Sequence, residues 1–418
     1  MIGTTTLAAV MLYLDRICIA EIAKLESFRT ELGLDAKQVG AVMSAFFFSY
    51  ALAQVPAGWL SDRFGARRML PLFVLFWSVC TALTGLATGF AMLIAARLIF
   101  GIAQAGCYPT AGGLIRRWMP LRARGTASSV VSFGGRLGGA LAPVLTAWLL
   151  KDVFGWRTVL VLYGAIGLGV ALLFRTVFRE TPEEHPACNE AERRLIAGGD
   201  ERTTRGAETD RAPDFPPLLP LVESGTMWLM CALQFGINVG WVFLVTWLPT
   251  YLQEVKHVEA KAGGNMSTVV LCAGIAGMLA GGPVADFAAR KLGPRWGRSA
   301  PMAAAYAVAL LAYLACLRIE SVWAFVAVVA LVAFATDLSV PAIWAYMQDV
   351  GGRNTAAVFG WGNMWGNFGA AFTPLLVPIV LERWDANGDW HEAFLLFSAG
   401  YAVALVAALF IDARKRIG

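Results

Sequence analysis

Long apolar stretches separated by short polar loops cover almost the whole chain. A helix needs about 20 apolar residues to cross the hydrocarbon core of a bilayer, and no stretch alternates with period two as a membrane strand would. The pattern therefore predicts an all-α polytopic membrane protein with 12 transmembrane helices. The predicted spans are 2–22, 39–60, 69–87, 89–115, 125–149, 157–178, 225–252, 264–288, 299–317, 322–348, 355–381 and 391–411.

One long polar segment, 179–222, follows the sixth span. It is charged and contains Pro and Gly, which is typical of a linker. The chain therefore divides into an N-terminal six-helix bundle over 1–178, a cytoplasmic linker over 179–222 and a C-terminal six-helix bundle over 223–418.

Composition supports the same class, with 58% hydrophobic and 15% charged residues. Soluble domains are nearer half apolar and a quarter charged, so a soluble enzyme, a nucleic-acid binder and a disordered chain are excluded. The three histidines fall in loops and most of the seven cysteines fall inside spans, where cysteine is usually a small apolar residue. We therefore expect no metal, no cofactor and no nucleic-acid partner.

Lys and Arg are distributed unequally between the two sets of loops. If the N-terminus is cytoplasmic, the loops on that side and the C-terminus hold 22 of the 34 basic residues, and the opposite loops hold 9. Cytoplasmic loops carry the excess of positive charge. We therefore expect a multi-pass protein of the cell (inner) membrane, surrounded by the lipid bilayer, with both termini cytoplasmic.

A short motif recurs at equivalent places in the two halves. Gly58 and Asp62 lie at the end of the second span, and Gly282 and Asp286 lie at the end of the eighth with the same spacing. The glycine allows two helices to approach closely, and the aspartate can pair with arginines or cap a neighbouring helix N-terminus. The repeat predicts a gate at this end of the bundle, formed by Gly58, Asp62, Arg63, Gly65, Arg67, Arg68 and Asp286.

The six-plus-six layout and the loop GWLSDRFGARR resemble the major facilitator superfamily. Within it, four features are similar to the anion:cation symporter family, which includes bacterial galactonate, glucarate and hexuronate transporters and animal vesicular glutamate and sialic acid carriers. They are YLDR at 13–16, Arg97 with Gln104 and Pro109, the linker start TPEEHPACNEAERRLI, and WLPTYL at 247–252. The resemblance implies a monomeric, proton-coupled carrier of organic anions rather than an enzyme.

Five ionisable residues lie at the depth of the bilayer core. Each costs about 2.5–3.5 kcal/mol at the centre of a span, so such residues indicate function. Three are arginines, and unpaired buried positive charge favours an anionic ligand, which guanidinium groups bind bidentately. The five are Asp15, Arg16, Arg97, Arg136 and Asp337.

Arg16 is the first candidate for a carboxylate clamp, because adjacent residues of a helix do not face each other and Asp15 cannot fully neutralise it. The resemblance also implies substrate contact for this arginine and proton coupling for Asp15. Asp15 could alternatively pair with Arg97 or Arg136. In the second half, Asp337 could titrate, bind a cation or bond to a helix broken at Pro341.

The helical spacing of span four places Arg97 and Gln104 on one face, towards a common cavity. The resemblance implies a proton-carrying glutamate at position 104, but Gln104 cannot titrate. Either Asp15 alone carries the proton, or the chain is an exchanger or a facilitator. Arg136 is also unusual for the family; it favours a more acidic substrate, or it pairs with Asp15.

Neutral polar and aromatic residues complete the candidate binding site. By resemblance, a tryptophan and asparagines of the second half contact sugar-acid hydroxyls, and two tyrosines of the first half line the cavity. Interhelical hydrogen bonding and packing are the alternatives. These residues are Trp344, Asn363, Asn367, Tyr13 and Tyr50.

The sequence thus predicts a secondary transporter of a sugar acid or other carboxylate, working by alternating access and proton symport. The sequence GK does not occur, which excludes a P-loop that would bind ATP. An exporter or facilitator of an amphipathic lipid or drug-like solute and a transport-dead sensor are the alternatives. A membrane enzyme is disfavoured, because no nucleophile, base or paired-acid arrangement is evident.

Overall fold

The computed structural model of the protein describes residues 1–152, 154–198, 218–384 and 390–417. Within these ranges the regular structure is helical. The helices are α1 Ile2–Ile22, α2 Glu26–Glu31, α3 Ala36–Phe64, α4 Ala66–Gly85, α5 Phe90–Gln104, α6 Cys107–Trp118, α7 Arg124–Asp152, α8 Trp156–Val177, α9 Glu190–Gly198, α10 Leu218–Glu223, α11 Gly225–Val242, α12 Leu248–Glu254, α13 Ala260–Cys316, α14 Val322–Val350, α15 Thr355–Trp384 and α16 His391–Phe410.

Eleven helical segments of the described chain are long and apolar enough to cross a membrane. Helices α5 and α6 together form one of them, and α11 and α12 form another across a π-helical turn at Phe243–Trp247. The 57-residue α13 is interrupted at Gly293, whose φ of 73° and ψ of −174° are not helical. It therefore supplies two spans joined at Gly293, where separate spans 264–288 and 299–317 were predicted, and the all-α membrane fold is confirmed.

Local signals explain where α3 begins and ends. Asp35 caps its N-terminus by accepting the backbone N–H of Gln38 at 2.7 Å, and the Gln38 side chain accepts the Asp35 N–H in return. At the other end, Gly65 has a φ of 84°, a conformation that glycine adopts without strain. The chain therefore turns sharply from α3 into α4.

Each half packs mainly against itself. In the first half α1 packs on α7, α4 on α8 and α3 on α5; in the second, the two arms of α13 pack on α14, and α11 packs on α15 and α16. The most extensive contacts between the halves are two equivalent pairs, α3 with α15 and α7 with α13, and α6 and α7 also contact α14. Large apolar side chains face outward over the bundle, as a bilayer requires; examples are Phe48, Val144, Leu172, Leu311 and Phe410.

The predicted linker is only partly described. A 3₁₀ turn at Pro182–Glu184, α9 and α10 lie within it, and residues 199–217 lie outside the described residues. The division into two bundles and a linker at these boundaries stays a prediction.

Candidate functional site

The helix ends around residues 62–68, 116–124, 286–298 and 349–355 form what we call the basic end of the bundle. Here Asp62, at the end of α3, accepts the backbone N–H groups of Ala356 at 3.0 Å and Ala357 at 2.9 Å. These are unpaired donors in the first turn of α15, so the carboxylate caps a helix of the opposite half.

Asp286 makes the equivalent contact in the other direction. It accepts the N–H groups of Gly125 and Thr126, both at 2.8 Å, at the start of α7. Both aspartates therefore cap a helix of the opposite half, and Asp286 also pairs with Arg298, whose Nη1 lies 3.7 Å from its Oδ1.

The glycines of the repeat provide the close approach. A Cβ on Gly58 would lie 2.6 Å from the carbonyl carbon of Ala356, and one on Gly282 would lie 2.8 Å from Cα of Thr126. Both distances are too short for a side chain. The two helix crossings between the halves therefore require glycine.

Ion pairs add to the contacts between the halves at the basic end. Asp349 on α14 accepts from Arg124 and from Arg298, both at 2.8 Å, and Arg298 also donates to the Leu121 carbonyl at 2.9 Å. Arg298 is 1% exposed. Charge-assisted hydrogen bonds of buried groups are the stronger kind, so this end of the bundle is firmly closed.

The remaining gating candidates lie on the surface of the same end. Arg63 stacks on Trp59, and the N–H of Arg67 donates to Glu180 at 2.9 Å. Arg68 is exposed, and Gly65 forms the turn beside Glu180. Arg67 and Gly65 therefore lie beside the start of the linker, whereas Asp62 contacts the opposite half.

The intramembrane candidates lie at successive depths above the basic end. At 1.5 Å per helical residue, Trp344 lies about 9 Å from the end of α14 and Tyr108 about 15 Å from the end of α6. Arg136 lies about 16 Å along α7 from Gly125. Arg16 lies about 21 Å from the start of α1, and Gln104, the last residue of α5, lies about 21 Å from the end of α6. The candidates therefore occupy the middle of the span.

Arg16 lies in an aromatic pocket. Its guanidinium carbon is 4.8 Å from the ring centre of Tyr13, 4.9 Å from that of Phe46 and 4.5 Å from that of Tyr50. Its Nε donates to the Gln104 side-chain oxygen at 3.2 Å, and the buried Nη2 has no hydrogen-bond partner. No carboxylate among the described residues forms an ion pair with it.

Gln104 is fully buried and oriented by two contacts. It accepts from Arg16, and its amide nitrogen donates to the Leu12 carbonyl at 2.9 Å. An ionised glutamate could not make the second bond, because it has no donor. The neutral amide therefore binds both α1 and the guanidinium without neutralising its charge.

Arg97 lies next to this pocket, also on aromatic rings. Its guanidinium carbon is 5.0 Å from the ring centre of Phe46 and 4.6 Å from that of Phe100, and its buried Nε has no partner. Arg97 and Arg16 therefore lie on the same ring, that of Phe46, and neither guanidinium group pairs with a carboxylate among the described residues.

Asp15 points away from Arg16. It is 1% exposed, and its Oδ2 accepts from the indole of Trp77 at 3.0 Å, while Oδ1 has no partner. It lies among α1, α4 and α8, near Ser78 and Gly167. The considered ion pairs of Asp15 with Arg97 and Arg136 are not formed.

Arg136 pairs across the halves instead. Its Nη2 lies 2.6 Å from Oδ1 of Asp337 on α14, and its guanidinium carbon lies 4.9 Å from the ring centre of Trp241 on α11. The considered partner Asp15 was therefore wrong, because the acid that neutralises Arg136 comes from the second half.

An aromatic contact between the halves lies below this pair. The ring of Tyr108 is 5.1 Å from that of Trp344, which in turn is 4.7 Å from Phe359, and Tyr13 lies 6.5 Å from Tyr108. Tyr108 was not among the predicted binding residues. Phe46, Trp77 and Trp241 had no distinguishing signal among 49 aromatic residues.

The family is shown by comparison with known proteins. The Major Facilitator Superfamily description matches residues 5–374. The chain belongs to this superfamily. The probable sulfoacetate transporter SauU of Cupriavidus necator is 30% identical over 98% of this chain and 93% of that protein. The probable galactarate/D-glucarate transporter GudP of Bacillus subtilis is 28% identical over 92% of this chain and 86% of that protein.

Solved structures of the superfamily have the same fold. The proton:xylose symporter XylE bound to 6-bromo-6-deoxy-D-glucose has a TM-score of 0.72 at 16% identity, covering 100% of this chain and 96% of that one. The human organic anion transporter MFSD10 has a TM-score of 0.69 at 18% identity, covering 97% and 98%. Membership of the superfamily confirms the prediction of a membrane transporter rather than an enzyme.

The polar candidates of the second half lie on one face of α15. Asn363 and Asn367 are half-buried, and the Asn367 amide donates to the Asn363 carbonyl at 2.7 Å within the helix. Gly362 and Gly366 pack closely on α11 near Gln234 and Asn238. In the described residues no group of three His, Cys, Asp or Glu side chains could hold a metal ion.

Proposed function

We propose that this chain carries an organic anion with at least one carboxylate, such as a sugar acid, across the inner membrane in symport with a proton. In this proposal both termini and the basic end are cytoplasmic, the carrier is a monomer, and the described state is open away from the cytoplasm. Relatives named as sulfoacetate, galactarate/D-glucarate and D-galactonate transporters support an anionic substrate.

The observation that carries the proposal is the unneutralised guanidinium of Arg16. Three cation–π contacts of about 0.5–2 kcal/mol each offset the cost of about 2.5–3.5 kcal/mol for an arginine at this depth. They leave its charge intact and its Nη2 unbonded. An incoming carboxylate therefore gains a charge-assisted hydrogen bond that the protein itself does not supply.

Alternating access follows from the paired contacts of the halves. The caps made by Asp62 and Asp286 close the basic end, and the candidate binding residues lie beyond them at mid-membrane. Separation of the same contacts, with closure at the other end, would present the anion to the opposite side.

Arg16→Lys in proteoliposomes tests the clamp. Lysine keeps the charge but loses the planar fork and its stacking on Tyr13 and Tyr50, so uptake of the transported acid should fall at least about tenfold. Labelled D-galactonate, galactarate and sulfoacetate are the substrates to screen. Arg295→Lys is the matched control, because Arg295 stacks on Trp296 at an exposed site. Wild-type uptake by Arg16→Lys would contradict the assignment.

A further inference from the structure

The ion pair of Arg136 and Asp337 joins the two halves at mid-membrane. Arg136 lies about 16 Å along α7 from Gly125, and Asp337 lies about 18 Å along α14 from Asp349. The 2.6 Å contact is therefore between groups at similar depth, just above the aromatic contact of Tyr108 with Trp344.

The two partners differ in access. The side chain of Arg136 is 24% exposed and that of Asp337 is 7% exposed. Helix α13 lies directly against the acid, since a Cβ on Gly274 would be 2.7 Å from Asp337 Oδ2. An anion that approaches from the solvent therefore meets the guanidinium first, and the carboxylate lies behind it.

Few other ionisable groups face the pair. Tyr13 from α1 and Tyr108 from α6 face Arg136, and Tyr401 from α16 faces Asp337. Trp241 from α11 and Gly274 from α13 contribute no charge. The charge of Asp337 is therefore balanced by Arg136, and any ligand that takes Arg136 leaves a carboxylate unpaired in the membrane.

The other candidate positions for the coupling proton are not paired with an arginine that an anion could bind. Gln104 cannot titrate, and Asp15 contacts Trp77 on the side of α1 away from Arg16. Of the two intramembrane acids considered, only Asp337 pairs with an arginine that is partly exposed.

We propose that Arg136 and Asp337 couple anion transport to proton transport in this carrier. When the anion binds, its carboxylate replaces Asp337 as the partner of Arg136, and a proton replaces Arg136 as the partner of Asp337. The inference rests on the proposed anion transport. The substrate carboxylate takes Arg136, and Asp337, left without its cation, binds one proton from the solvent on the open side. After transport the anion leaves, the Asp337 O–H bond breaks towards the other side, and the ion pair forms again.

The exchange conserves charge at the site. The empty site holds one guanidinium and one carboxylate; the loaded site holds the guanidinium, the substrate carboxylate and a neutral Asp337. One proton therefore enters with each monocarboxylate and transport is electroneutral. A dianion bound with the same single proton would move one net negative charge.

Calorimetry on the wild-type protein tests the exchange without any variant. The transported acid identified by uptake is titrated in buffers of different ionisation enthalpy at a pH at which the acid is itself ionised. We expect uptake of about one proton per bound anion, so binding should tighten up to about tenfold for each unit that the pH falls. Binding without proton uptake would overturn the proposal.

Asp337→Asn locates the proton. The amide resembles a protonated Asp337 and competes less for Arg136, so the anion should bind at least about fivefold more tightly, without proton uptake. Anion-for-anion counterflow should persist, while uptake driven by an inward proton gradient should fall at least about tenfold. A pair that only joined the halves would give no tighter binding.

Two other outcomes are distinguishable. Loss of proton uptake in Asp15→Asn but not in Asp337→Asn would place coupling at Asp15 and overturn this inference, while anion transport itself would stand. Absence of counterflow of any carboxylate by the wild-type protein would instead contradict the proposed function. If Asp337→Asn does not fold, binding without proton uptake by the wild-type protein would still overturn the proposal, and so would loss of proton uptake in Asp15→Asn.

Discussion

The carboxylate of Asp62 accepts the backbone N–H of Ala356 at 3.0 Å, although the two residues belong to opposite halves of the bundle. Asp286 makes the same kind of cap on Gly125 in the reverse direction. A capping residue is usually next in sequence to the helix that it stabilises. Here the capping residue and the helix belong to opposite halves, so the free energy of capping stabilises the contact between the halves. Neutralising either acid should therefore change the conformational equilibrium.

Asp62→Ala should increase the population that is open at the basic end. A cap lost to alanine costs about 0.5–2 kcal/mol, which shifts the equilibrium about 2- to 30-fold. Spin-label distances between Arg122→Cys and Leu292→Cys, in a background without the native cysteines, measure this opening. Asp35→Ala is the matched control, because Asp35 caps α3 within one half. An unchanged distance distribution in Asp62→Ala would refute the role of the cap in closure.

Gly58→Ala should prevent closure of the basic end while leaving the fold intact. The added Cβ would lie 2.6 Å from the Ala356 carbonyl carbon, and that contact exists only while the halves are closed. Transport should fall at least about tenfold, since each cycle requires closure. The same spin labels should report the open distance. Gly113→Ala, whose Cβ would meet the Ala356 side chain at an ordinary 3.8 Å, should retain transport. Equal losses in both variants would point to general damage instead.

Sequence reasoning succeeded where local patterns suffice. Apolar periodicity predicted the spans, and helix geometry separated Asp15 from Arg16, as the structure shows. The repeat indicated that Asp62 and Asp286 would pair or cap, but not that each would cap the other half. Which N–H groups they bind depends on how the two halves dock, and no local pattern encodes that arrangement.

The partner of Arg136 could not be predicted from the sequence for the same reason. Asp337 lies 201 residues away along the chain, and one sequence carries no information on pairs at that separation. Its helix could be predicted, but not the direction in which it faces. Asp15 was the nearer acid in the sequence, yet it faces α4 and α8 rather than Arg136.

Gln104→Glu should make anion binding depend strongly on pH. An ionised glutamate would pair with Arg16 and could not donate to the Leu12 carbonyl, so it would compete with the substrate. When protonated, it would keep both hydrogen bonds. We expect binding at least about tenfold weaker than wild type at high pH, recovering as the pH falls. Dissociation constants of both proteins across the pH range measure the difference. Parallel pH profiles would show that Gln104 does not control the charge available at Arg16.

Glu180→Ala should destabilise the first half through the start of the linker. The Glu180 carboxylate accepts the N–H groups of Ala66 at 3.2 Å and Arg67 at 2.9 Å at the start of α4, and it pairs with Arg117. Loss of these charge-assisted bonds at a helix N-terminus should cost about 1–3 kcal/mol and lower the unfolding temperature in detergent by a few degrees. Glu183→Ala is the matched control, because Glu183 is exposed in the adjacent 3₁₀ turn. Since the contacts lie within one half, the spin-label distance across the basic end should stay the same; a change there would mean that the linker also takes part in closure.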